Sequence, residues 1–264
     1  MARRAPPATH ITGVVAALRA EARSLLPLPQ STDAGGRPVA TLMVQASGMG
    51  CERAARTAHR LVRAGARSLL CWGVAGAMDP ALRCGDIVLA TEVICDTALS
   101  LRLESMRPTV LPAHARLRTS AQWRAQMEAA LVRQGPVVHG PLLTRQELVC
   151  GAALKSKLFH ETAAVAVDME SAAVGVVARL HGVPFMVLRV VADTAADTLP
   201  AVLQRAIGSE RTDALAWLSW LSLAGAPGAW PGLIRLGKRY RSARRVLRQC
   251  ALSGCPAAVV QQQP

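Results

Sequence analysis

The stretch AVAVDMESAAVGVVARLHGVPFMVLRVVAD (Ala164–Asp193) reads as one strand–helix–strand unit. Ala164–Val167 and Phe185–Val191 are short apolar runs, which suits strands covered on both faces. Between them, Glu170–His181 carries apolar residues at helical spacing and stops at Gly182-Val183-Pro184, since glycine closes helices and proline cannot continue them. The same alternation extends through the first 200 residues. It predicts further strands at Ile11–Ala17, Val39–Ala46, Ser68–Val74, Asp86–Val93 and Val137–Leu143. Helices are predicted at Cys51–Ala64, closed by Gly65, and at Arg118–Arg133, closed before Gly135-Pro136, while Asp33-Ala34-Gly35-Gly36 reads as a hairpin turn joining early strands. The pattern is that of an α/β domain with a largely parallel sheet between helical layers.

With 264 residues, 51% of them hydrophobic, the chain is long enough for a sizeable core, which excludes disorder for most of it. Its 31 basic and 17 acidic side chains give a net charge of +14, favouring anionic partners. Seven cysteines without a CxxC pair suit reduced thiols in a cytosolic protein, and histidines without HExxH or HxH spacing offer no metal site. The apolar run Ile11–Leu18 is short for a secretory signal and soon meets Arg19, Glu21 and Arg23. Ala214–Ile234 carries no charge, yet Gly225, Pro227, Gly228, Pro231 and Gly232 break it into a helix end, a turn and a second helix.

In such sheets, ligands collect beyond the carboxyl ends of strands. Four places qualify: Glu21, Gly48-Met49-Gly50, Gly73-Val74-Ala75-Gly76, and Asp168-Met169-Glu170 with Asp193. The glycine pair at 48 and 50 is equally a tight strand-to-helix turn and an amide cradle for a phosphate or a ribose hydroxyl. Arg53 stands where a dinucleotide loop has its third glycine. Glu21 on a short amphipathic helix is by default a solvated acid. Glu170 opens an apolar helix, as a cap or as a carboxylate for ligand hydroxyls, and Asp168 is an alternative cap. Asp193 ends an apolar strand, where it serves either as another cap or as an acid with a raised pKa.

Taken together, GVVAALRAEARSL (Gly13–Leu25), SGMG (Ser47–Gly50), GVAGAMDPALRCGDIVLA (Gly73–Ala90), VDMESAA (Val167–Ala173) and VLRVVAD (Val187–Asp193) resemble the purine nucleoside phosphorylase and methylthioadenosine nucleosidase superfamily over about residues 11–200. The tail, from Arg211 through Trp230-Pro231-Gly232-Leu233 to the arginine-rich end, is similar to one branch, the hopanoid-associated phosphorylases, which are implicated in removing adenine from adenosylhopane. The resemblance implies a three-layer αβα fold with a central twisted mixed sheet. It also implies cleavage of a purine N-glycosidic bond without metal or organic cofactor. By the same resemblance Asp193 is the acid at purine N7, Glu170 holds the ribose hydroxyls with Met169 packed on the sugar, and Glu21 activates water. Phosphate as co-substrate would be held by a loop of Ser47, Gly48, Gly50, Val74 and Gly76, with Arg53 or Arg19 as the nearby cation. Two departures stand out: Val74 where many relatives carry a hydroxyl, and Ala192 where nucleosidases usually carry a serine that orients the acid.

The resulting expectation is an enzyme that releases adenine from adenosylhopane, leaving ribosylhopane or its 1-phosphate, with an enzyme domain over 10–224, a basic amphipathic extension over 225–250 and a disordered tail over 251–264. Arg241, Arg244, Arg245 and Arg248 recur at helical spacing behind Trp217, Trp220 and Trp230, and Leu233, Leu236, Tyr240, Ala243 and Leu247 follow the same period on another face. Such a helix rests on an anionic membrane near a lipid-linked nucleoside; alternatively Ala214–Ala224 is the last packing helix of the core and the basic part is a solvated or oligomer-bound face. The low aromatic content of 3% argues against a nucleic-acid platform. The expected setting is cytoplasmic, peripheral on the inner face of the membrane, as a homo-oligomer. The alternatives are a soluble methylthioadenosine/adenosylhomocysteine nucleosidase and a non-catalytic purine-binding or membrane-adaptor protein.

Overall fold

The computed structural model describes residues 10–26, 40–101, 109–199 and 230–257. Ten strands and six helices follow in the order β1 (His10–Ala16), α1 (Arg19–Ala22), β2 (Ala40–Ala46), α2 (Cys51–Arg63), β3 (Ser68–Ala77), β4 (Ile87–Cys95), β5 (Leu99–Leu101), β6 (Thr109–Leu111), β7 (Arg116–Arg118), α3 (Ala121–Leu131), β8 (Val137–Thr144), α4 (Ala152–Thr162), β9 (Ala166–Asp168), α5 (Ser171–His181), β10 (Phe185–Asp193) and α6 (Trp230–Leu252).

The main sheet runs β10-β4-β8-β9-β3-β1-β2, and β3 also pairs with β10, so five strands close on themselves. The long β3 makes this possible. Its first half pairs in parallel with β1, its last residues pair antiparallel with β9, and β10 runs parallel along its other edge. The sheet is therefore mixed rather than largely parallel, because β4 is antiparallel to β10 and β9 to β3. Asp33–Gly36 lies outside the described residues; the strands that flank it, β1 and β2, pair in parallel, so no hairpin joins them.

Alternation along β10 shows why both faces are covered. Phe185, Val187 and Val191 join the cluster under α2 and α5, whereas Met186, Leu188, Val190 and Ala192 join the one under α3 and α6. Gly13 and Gly175 sit where helix and strand approach closely: a Cβ on Gly175 would lie 2.9 Å from the Phe185 ring.

Strands β5, β6 and β7, of three residues each, are too short for a periodic signal, and β7 takes the first residue assigned to the helix predicted from Arg118. Helix α4 escaped the sequence reading because its apolar stripe is weak: Lys155, Leu158 and Thr162 are its buried residues. The C-terminal segment differs most from expectation. Ala243, Leu247, Cys250 and Ala251 of α6 are buried against Leu25, Trp72, Met186 and Leu188, so at Ala243 and Leu247 the apolar face expected to meet a membrane lies inside the protein. Nor is the chain past 250 a loose tail throughout, since Cys255 and Pro256 are buried in a single 3-10 turn, Cys255–Ala257. Trp217 and Trp220 lie outside the described residues, and Trp230 is the first residue of α6.

Candidate active site

A cavity of about 150 Å³ opens where β1, β9 and β10 end against the second half of β3. It is lined by Ala17, Leu18, Glu21, Met49, Val74–Gly76, Glu147–Val149, Val167–Glu170, Ala192, Asp193 and Leu199. Asp193, Glu21, Glu170, Met169, Val74 and Gly76, singled out from sequence, thus meet in one place. The first and last of them, Glu21 and Asp193, lie 172 positions apart in the chain, and the closed arrangement around β3 brings them together.

Glu21 is 2% exposed, not a solvated acid. Its Oε2 accepts the Leu18 amide at 3.0 Å and its Oε1 the Val74 amide at 3.2 Å. Burial raises its pKa, and Arg189 and the backbone amides oppose the shift. Glu170 stands at the start of α5 but does not cap it, because the Asp168 carboxylate accepts the Glu170 and Ser171 amides instead. This leaves the Glu170 carboxylate to the cavity, where Oε1 accepts the Gly50 amide at 2.9 Å and Oε2 lies 3.6 Å from Arg189 Nη2. Burial pushes its pKa up to about 7 against the pull of Arg189.

Asp193, at the end of β10, is buried and lies in register with Gly76 of β3. A Cβ on Gly76 would come within 3.0 Å of Asp193 Oδ2, so the glycine makes room for the acid. Burial raises the Asp193 pKa, opposed by Lys155.

Two cations absent from the sequence reading organise these acids. Arg189, fully buried in mid-β10, donates from Nε and Nη2 to Asp168 Oδ2 and from Nη2 to Ser171 Oγ and Cys71 Sγ. A Cβ on Gly73 would lie 2.5 Å from Arg189 Nη1 and 3.0 Å from the Glu21 carboxyl, so Gly73 is the gap through which guanidinium and carboxylate share one site. A lone cation in an apolar strand was the available signal for it. Lys155 of α4 is fully buried and donates to the Asp193 carboxylate, to the Thr194 carbonyl at 2.7 Å and to the Asp197 carbonyl at 3.3 Å. Nothing in the polar run around it marked it out.

The phosphate cradle expected at Ser47–Gly50 is not built as such. The Ser47 amide donates to the Ala16 carbonyl at 2.8 Å, Gly48 to Ala17 at 2.9 Å and Gly50 to Glu170, and an amide already bonded to a protein acceptor has no proton left for an oxyanion. Gly48 and Gly50, with φ of 82° and 100°, form the tight turn instead. Ser47 and Arg53 line a second cavity of about 250 Å³ with Arg56, Thr57, His59 and Arg60, while Arg19 is exposed at the start of α1. On α6, Arg241 and Arg245 are exposed, Arg244 lies 6.0 Å from the Tyr240 ring centroid and Arg248 donates to the Ser24 carbonyl, so part of the basic face is engaged within the protein.

A family model described as the Phosphorylase superfamily matches residues 33–216. A 5'-methylthioadenosine/S-adenosylhomocysteine nucleosidase of Mycobacterium bovis is 27% identical over 188 residues, covering 62% of this chain and 73% of that protein. Among solved structures, the nucleosidase of the same name from Helicobacter pylori aligns over 92% of this chain and 97% of its own, with a TM-score of 0.63 and 21% identity. The S-adenosylhomocysteine nucleosidase of Streptococcus pyogenes aligns over 97% and 100%, with a TM-score of 0.67 and 19% identity. These two likenesses establish the nucleoside phosphorylase-like fold.

Proposed function

The chain belongs to the phosphorylase superfamily, and from that premise we propose that it hydrolyses the N-glycosidic bond of an adenine nucleoside carrying a 5′ substituent. The observation that carries this reading is the convergence of buried Glu21, Glu170 and Asp193 on one cavity. Asp193, which burial favours in its protonated form, delivers a proton to purine N7 as the C1′–N9 bond breaks, so that a neutral base leaves. Glu170 accepts hydrogen bonds from ribose hydroxyls with the lone pairs that Gly50 leaves free, and its negative charge stabilises the cationic sugar. Glu21 takes a proton from the water whose oxygen bonds to C1′; its raised pKa makes it a stronger base than a solvated glutamate. Arg189 orients the carboxylates from behind.

Water is favoured over phosphate by three features. The Val74 amide is bonded to Glu21, position 74 lacks a hydroxyl, and the loop amides of Ser47, Gly48 and Gly50 are bonded within the protein. A phosphate would also face two carboxylates at the cavity wall.

On substrate, the curated relatives favour methylthioadenosine or adenosylhomocysteine over the lipid nucleoside. Adenosylhopane is the second reading, supported by the likeness of the tail to the hopanoid-associated branch and by the exposed Arg241 and Arg245, which suit an anionic membrane surface. The test is to incubate the protein with methylthioadenosine, with adenosylhomocysteine and with adenosylhopane in vesicles, with and without phosphate, and to identify base and sugar. Release of adenine and a free sugar without phosphate is the expected result. A sugar 1-phosphate formed only with phosphate refutes hydrolysis, and no base release from any of the three refutes the reading.

A further inference from the structure

We infer that Lys155 is the positioning residue of the acid: its ammonium holds the Asp193 carboxyl against Gly76, and the Asp197–Arg239 pair anchors this clamp to α6. The inference rests on the hydrolytic reading above and adds to it the group that takes the place of the serine missing at Ala192.

The geometry is complete on the donor side. An ammonium has three protons, and Lys155 Nζ has three acceptors, namely the Asp193 carboxylate, the Thr194 carbonyl and the Asp197 carbonyl. With no exposed surface and every proton engaged, the long side chain has one arrangement, and a carboxylate bonded to it shares that fixity. On its other side the carboxyl meets Gly76, where even a Cβ would crowd it at 3.0 Å. The two carbonyls belong to the turn after β10. That turn is closed from behind, since Asp197 Oδ2 accepts the Thr194 amide at 2.8 Å, the Thr194 hydroxyl at 2.7 Å and Arg239 Nη1 of α6.

The charges around Asp193 are Lys155 from α4, Asp197 from its own turn and Arg239 from α6, with the thiols Cys84 and Cys150 nearby. Burial raises both thiols, which leaves them neutral at ordinary pH, so two cations against one anion act on the acid. Their net pull lowers a proton affinity that burial raises. The clamp therefore sets both where the carboxyl points and how readily it releases its proton. It also gives α6 a part in the site without any membrane contact.

The test compares K155M and K155R with wild type in pH profiles of adenine release from methylthioadenosine. It adds ¹³C NMR titration of the Asp193 carboxyl, a readout independent of turnover. In K155M we expect kcat to fall about 10- to 100-fold, KM to stay within about threefold, and the basic limb of kcat/KM and the carboxyl titration to move up by about one pH unit. K155R, which keeps the charge, is expected to return the limb towards wild type. A limb and a carboxyl titration that stay in place in K155M overturn the inference. If K155M does not fold, R239M, altered at a partly exposed position, carries the test, with a smaller shift in the same direction expected and an unchanged profile overturning it. Wild type that releases no base would sink the hydrolytic reading, and the NMR titration would still decide the Lys155 clamp.

Discussion

A carboxyl group held at 6% exposure at the end of an apolar strand keeps its proton to a higher pH than one in water, and that is the property an acid catalyst needs. Asn has the shape of Asp193 but no proton to give, so D193N is expected to slow adenine release about 10²- to 10⁴-fold with KM little changed, measured by steady-state kinetics. An undiminished rate would remove Asp193 from the chemistry. E21Q is expected to lower hydrolysis over a similar range while still binding adenine, read by calorimetry. The three acids were visible in sequence because their types and spacing follow family motifs. Their state was not, because burial and partners depend on segments far apart in the chain: Glu21 reads as solvated until β3 is laid against it. Lys155 was invisible for the same reason, its three acceptors lying some 40 residues downstream.

At the level of elements, α6 is the best example of a pattern read correctly and assigned to the wrong environment. Apolar residues at helical spacing state that a face will be buried, not what buries it. Here β10, β3 and the 3-10 turn Arg23–Leu25 cover Ala243 and Leu247. L247A is accordingly expected to cost about 2–5 kcal/mol in urea denaturation, as for other fully buried leucines. A loss below about 0.5 kcal/mol, the size usual for surface positions, would mean that the helix face is not packed as described. The other long strands and α2 and α5 were legible within a residue or two because their apolar residues follow the strand or helix period, β3 runs three residues past its expected end at Val74, and α4, with a buried lysine in its stripe, gave no such signal.

Over the whole molecule, raised carboxylates make stability depend on pH in a stated direction. Glu170 has an ordinary value of 4.5 and is pushed up to about 7, so its contribution is fully present below about 4.5 and is lost as the pH rises through about 7. E170Q is expected to flatten the fall in stability over that window by up to one proton, about 1.4 kcal/mol per pH unit, in denaturation curves taken from pH 4.5 to 8. Identical slopes in the two proteins would show that Glu170 titrates normally. The basic excess belongs to this scale as well. With Arg241 and Arg245 exposed on α6, binding to anionic vesicles is expected to be weak and abolished by salt, measured by co-sedimentation. Salt-resistant binding would point to an apolar contact in addition, for which Ile234 and Leu252 of α6 are exposed. The fold class was legible because alternating apolar runs demand helical layers. The closure of five strands around β3 was not, since it depends on which edges meet. The account stands most directly on one measurement, the products formed from methylthioadenosine by phosphate-free protein: it expects adenine and methylthioribose in equal amounts, and it is contradicted if adenine appears only once phosphate is added, or not at all.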